Sequence, residues 1–100
     1  MSHGKRIRQL EVELHSSDYA LHLIKYTLVF HNNDPRLDWD IIWSEGRRTI
    51  LEQLSSITSR PWTKIKEDER LFLKQVAVDK YDRTFEILRA IFKRGITNVR

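Results

Sequence analysis

Only three points along the chain carry strong backbone punctuation, and their spacing is what most limits the fold. They are "HNNDP" at residues 31–35, "SRP" at 59–61 and "RG" at 94–95. Glycine and proline are otherwise nearly absent, with three and two copies in 100 residues. Short turns between long uninterrupted blocks are the organisation of a compact helical bundle. A chain of this length makes one domain with a thin core. Hydrophobic residues at 40% and charged residues at 32% place it among globular rather than disordered sequences.

The blocks differ in how plainly they read. In the first, "QLEVELH" alternates apolar and polar residues with the period of a strand, while Ile7, Leu10 and Leu14 also share one helical face. "SSD" at 16–18 can cap a helix running through "YALHLIKYTLVFH", yet Ile24, Tyr26, Leu28 and Phe30 alternate as well. In the second block Asp34 can cap, and Pro35 suits a first helical position. Leu37, Ile41, Ile50, Leu54 and Ile57 mark an apolar face, with Trp43 and Leu51 beside it. Gly46 predicts a bend or a junction of two helices. In the third, Thr63 can cap a helix whose first turns hold Glu67, Asp68 and Glu69, where the dipole favours negative charge. Leu71, Val78 and Tyr81 would then point to the core, with Trp62 stapled against the helix start. A further helix is expected after "DRT" at 82–84, with Phe85, Leu88, Ile91 and Phe92 as its stripe and Gly95 as its left-handed cap. The expected fold is all-α, a small bundle of about five helices. The alternative is α+β, with a β-hairpin over residues 9–30 packed on helices.

Several chemistries have no footing. The chain has no cysteine, so disulfides, thiolate metal sites and cysteine nucleophiles are excluded; this fits an intracellular protein. The N-terminus lacks the apolar segment of a secretory signal, and no apolar run approaches a membrane span. His15, Asp18 and His22 can share a helical face, but the two histidines stand two turns apart, about 10 Å, too far to share an ion. No phosphate-cradling or hydrolase motif is present. Asp38 and Asp40 flank Trp39 on different sides of a helix and read as a solvated rim. No enzymatic activity, cofactor or metal is expected.

Charge is uneven. Residues 1–59 hold seven basic and eight acidic side chains, whereas residues 60–100 hold eleven and six, and no acid follows Glu86. A basic end on a near-neutral body suits phosphate or an acidic protein surface. Lys93, Arg94 and Arg100 lead the candidates for phosphate contact, with Arg89, Arg60 and Lys64 behind them. Trp39 and Trp43, one helical turn apart, are either core or a pair of anchors for a protein partner, since tryptophan is enriched in binding hot spots. A thin core also makes self-association an expectation.

The residues Trp62-Thr63-Lys64, then Glu67-Asp68-Glu69, then Leu71 resemble the start of a Myb/SANT-type repeat. Phe85, Leu88, Phe92 and "KRGIT" at 93–97 resemble its second helix and the turn into its third. The resemblance covers residues 60–100, and departs from the family at Ile65, an extra residue before the acids. The interval from Trp62 to Phe85 is also longer than usual, and Arg100 falls where a recognition helix would begin. It implies an N-terminal helical part over 5–58 joined to a Myb/SANT-like basic part over 60–100 in one domain. It further implies a nuclear protein of chromatin or transcription that binds nucleic acid weakly through phosphates, or a protein partner. The rival expectation is a small adaptor or inhibitor that uses Trp39 and Trp43 to grip a protein or to form a homodimer, with no nucleic-acid role.

Overall fold

The computed structural model describes residues 3–31, 34 and 36–98, and of residues 93–98 it describes the backbone alone. Three long helices account for the fold: α1 (His3–His31), α2 (Trp39–Gln53) and α3 (Glu67–Asn98). Two single turns of 3-10 helix, Leu54–Ser56 and Trp62–Lys64, lie between α2 and α3. The bundle is elongated, 51 × 21 × 17 Å.

The helices run up, down and up. Arg8 pairs with Glu69 and Tyr19 lies beside Tyr81, so α1 and α3 are parallel in near-constant register. Trp39 packs on Phe85 while Trp43 bonds to Asp82, so α2 is antiparallel to α3.

The core explains why α1 is one helix and no hairpin forms over residues 9–30. Val12, Ser16, Ala20 and Ile24 are fully buried at every fourth position, and Thr27 continues the line. On α3 the matching residues are Leu73, Ala77, Tyr81 and Phe85. Two helical stripes that bury each other outweigh a local alternation. Ser16 therefore sits mid-helix, not in a cap, and with Ala20 and Ala77 it supplies the small residues that let the helices approach. Ser17 donates to Leu14 O within the same helix. The second face, Ile7, Leu10 and Leu14, is exposed.

The count of five helices is corrected to three for the same reason. α3 passes through residues 82–84 and through Gly95 without interruption. Its stripe from Leu73 to Phe85 leads directly into Leu88 and Phe92, both packed on the core, so no break is formed, and no glycine among the described residues has positive φ. Thr63 is not a helix cap: it lies within the 3-10 turn, and α3 opens four residues later, at Glu67. The residue that displaced it is Ile65, 3% exposed, which enters the core and holds the chain extended before the helix. Trp62 is half-buried against the core, and Arg70 fastens this segment by donating to Ile65 O at 3.0 Å and Trp62 O at 3.4 Å.

α2 begins later than expected. Asp38 caps it, accepting from Asp40 N at 2.9 Å and Ile41 N at 3.4 Å. Asp34 instead accepts from Arg36 N in the preceding turn; the role expected of Pro35 lies outside the described residues. The inward face of α2 is Trp39, Ile42, Trp43, Gly46 and Ile50, while Ile41 and Leu51 face outward.

Gly46 neither bends α2 nor divides it. It is buried between Leu23 of α1 and Tyr81 of α3. A Cβ placed there would overlap the Tyr81 hydroxyl and lie 2.5 Å from Leu23 Cδ2. The glycine thus makes room for Tyr81, whose hydroxyl donates to Trp43 O at 2.8 Å. Burial, with Tyr19 and Asp82 adding to it, pushes the ionisation of that hydroxyl well above its ordinary range.

At the start of the bundle, Arg8 grips Glu69 with two hydrogen bonds, one from Nε and one from Nη2 at 2.8 Å. Both side chains are largely buried, 12% and 6% exposed. The hydrogen bond from Arg8 holds the Glu69 carboxyl below its usual range against the opposing effect of burial, with Lys5 and Arg60 adding to the field.

Candidate interaction surface

The fold separates the residues that charge and motif had grouped. Arg60 and Lys64 lie in the segment before α3, at the end of the bundle where α1 starts. Arg89 lies 22 residues along α3 from Glu67, and a helix rises 1.5 Å per residue, so roughly 33 Å divides these positions. Lys93 and Arg94 lie on α3 beyond Arg89, their side chains outside the described set, and Arg100 is outside the described residues. Arg60 Nε donates to Lys64 O, and Arg89 approaches Asp40 at 3.8 Å, so both basic ends carry internal ties.

Trp39 and Trp43 face inward. Trp39 meets Phe85 edge-on at 6.2 Å between centroids. Trp43 donates from Nε1 to Asp82 Oδ1 at 2.9 Å, and Arg47 lies over its ring at 5.4 Å while also reaching Asp82 at 3.8 Å. Both rings are half-buried and their chemistry is directed at α3.

The apolar surface on offer lies elsewhere. Leu51 on α2 and Leu71, Phe72 and Val78 on α3 line an open groove of about 920 Å³ between the two helices. Leu71 is 56% exposed, Phe72 42% and Leu51 38%. The expectation that Leu71 points into the core is thereby corrected: α3's core stripe runs through Leu73, Ala77 and Tyr81, and Leu71 falls on another face. Arg47, Lys74, Asp68 and Asp79 stand around the groove. The signal in the sequence was an excess of apolar residues on α3: once one stripe is assigned to the core, Leu71, Phe72 and Val78 are left over.

His22 bonds back to its own helix through Asp18, and His15 approaches Gln53 at 3.4 Å. Among the described residues, no group of three or more histidine, aspartate or glutamate side chains could hold a metal ion. Among them too, no helix is long and apolar enough to cross a membrane. Comparison with protein-family models, curated proteins and solved structures finds no match for this chain.

Proposed function

We propose that the chain is a helical interaction module that associates with protein through the groove between α2 and α3. The observation that carries this reading is the exposure of Leu51, Leu71 and Phe72 around one concavity. Scattered exposed apolar residues are ordinary, but a contiguous apolar patch with a polar rim marks an interaction site. Two helices presenting such a groove are suited to receiving the apolar face of another helix. Leu71→Asp tests it. The residue is exposed, so the helical circular dichroism spectrum is expected to stay unchanged. Proteins retained from a source extract by the wild-type chain are expected to be lost by the variant. Retention of the same proteins at the same level by both chains would remove the groove from the reading.

A second reading, phosphate-mediated binding to nucleic acid in a chromatin or transcription setting, is favoured by the basic gathering around Glu69. Lys5, Arg8 and Arg60 all act on its carboxyl, so α1 and the connecting segment bring positive charge to one end. With Lys93 and Arg94 near the other end, the two clusters would act as separate contacts. Labelled duplex DNA titrated across a salt series is expected to bind weakly and without sequence preference. Each phosphate contact contributes about 0.9 to the slope of log K against log salt. Charge reversal at Arg60 and Lys64 should flatten that slope, and so, independently, should reversal at Lys93 and Arg94. Salt-independent binding, or none at low salt, would refute this second reading.

A further inference from the structure

We infer that the occupant of the α2/α3 groove is an amphipathic partner helix with carboxylates along one edge of its apolar face and lysines or arginines along the other, and that the groove takes it in one direction only. This rests on the protein-association reading of the groove and adds the chemistry and direction of what fills it. Two bases, Arg47 and Lys74, and two acids, Asp68 and Asp79, border the groove. They are not interspersed. At about 100° per residue, Lys74 lies roughly 60° to one side of Leu71 around α3, while Asp68 and Asp79 lie roughly 60° and 80° to the other.

The side that holds Lys74 is the side toward α2. Lys74 precedes Tyr81 by two turns, and the Tyr81 hydroxyl donates to Trp43 O of α2. Arg47 stands on α2 itself. The bases therefore line the α2 bank of the groove and the acids the outer bank of α3, with Leu71 and Val78 between them. The groups are placed to act on a ligand. Lys74, Asp68 and Asp79 are exposed. The Arg47 side chain is 42% exposed, and its Nε stands 3.8 Å from Asp82, beyond a hydrogen bond. Its other guanidinium donors can serve an incoming carboxylate.

A rim sorted in this way discriminates by like charge. A helix with acids on both edges would set one edge against Asp68 and Asp79. A helix with bases on both would set one against Arg47 and Lys74. One sign on each edge avoids both conflicts, and direction follows from it. Turned end for end with its apolar face still down, the helix exchanges its edges, and each then faces its own sign. Asp68 and Asp79 are eleven residues apart, about 16 Å along α3, so the occupant engages with about three turns.

Synthetic helices of about 20 residues test this on the wild-type chain. They share one leucine face and differ only at its two edges: glutamate on one and lysine on the other, the same two edges exchanged, glutamate on both, or lysine on both. In anisotropy titrations at low salt the two sorted peptides are expected to bind equally, and the single-sign peptides about tenfold more weakly. A nitroxide on the N-terminus of one sorted peptide should broaden amides at one end of the groove, near residues 68–71 or near 78–82. On the edge-exchanged peptide it should broaden the opposite end. Leu71→Asp should lose binding of all four. Equal affinity for all four, lost on Leu71→Asp, would overturn the inference and leave the groove reading standing. Broadening at the same end by both sorted peptides, or at both ends by either, would overturn it as well. So would binding that survives Leu71→Asp, or a wild-type chain that dimerises through Leu71 and so fills the groove itself. If no peptide binds, the inference fails, and the groove reading is judged separately by the loss of captured proteins on Leu71→Asp.

Discussion

Gly46→Ala is expected to destabilise the chain by about 2–3 kcal/mol, although the same substitution in an exposed helix stabilises it by about 1 kcal/mol. For a domain of this size the thermal midpoint should fall by roughly 10–20 °C. The cause is volume. The new methyl group would overlap the Tyr81 hydroxyl and crowd Leu23. Leu23 can change rotamer, but Tyr81 is held by Tyr19 at 6.2 Å, by Phe85 at 5.7 Å and by its bond to Trp43 O. Relief therefore costs a buried hydrogen bond or a shift of α2. Tyr81→Phe in the same chain removes the oxygen that the methyl group meets, so the double variant should recover part of the loss. Equal midpoints for Gly46→Ala and wild type would mean that the helices do not meet as closely as described.

Glu69→Ala is expected to cost about 3–5 kcal/mol, because it leaves Arg8 buried without its counter-charge. Removing both charges together, as Arg8→Met with Glu69→Leu, should restore most of that stability, since two well-packed apolar side chains need no partner. Urea midpoints of the three chains settle the comparison. The pair also sets a pH dependence. The Glu69 carboxyl is held below its ordinary value in the folded chain, so its stabilising effect is complete above the unfolded carboxyl range, near about pH 4.3. It is lost as pH falls through the lower folded value. The gap in stability between wild type and Glu69→Ala should therefore be constant near neutrality and narrow in acid. A gap that widens in acid would reverse the sign and contradict the assignment.

Both predictions show where the sequence was readable and where it was not. The breaks near residues 31–35 and 59–61 announced the two real connections, and helical character could be read on both sides of them. What misled was local signal inside long helices. Ser16, Ser17 and Asp18 have the chemistry of a cap, as do Asp82, Arg83 and Thr84. Caps, however, are needed only where backbone groups lose their partners, and the stripes from Val12 to Thr27 and from Leu73 to Phe92 keep the helices going. Gly46 reads alone as a breaker; only the arrival of Tyr81 from α3 gives it a purpose, and that meeting is a tertiary fact. Thr63 failed as a cap because Ile65 is core, which a motif-centred alignment treats as an insertion.

The candidate site was less legible. Leu71 and Leu51 were visible as apolar residues, but assigning them to a core or to a surface needs the direction of each neighbouring helix. The basic residues were visible too, and the length of α3 decides that Arg60 and Arg89 stand at different ends.

The claim on which the functional account turns is that the α2/α3 groove is a contact surface. A ¹⁵N NMR titration of the labelled wild-type chain with the unlabelled protein that it retains from a source extract tests it directly, with labelled Leu71→Asp alongside. Amide shifts that move as that protein is added are predicted at residues 47–51 and 68–82, and nowhere else to comparable extent. The spectrum of Leu71→Asp should stay invariant. Shifts centred on the exposed face of α1 at Ile7, Leu10 and Leu14, with the groove silent, would contradict the account.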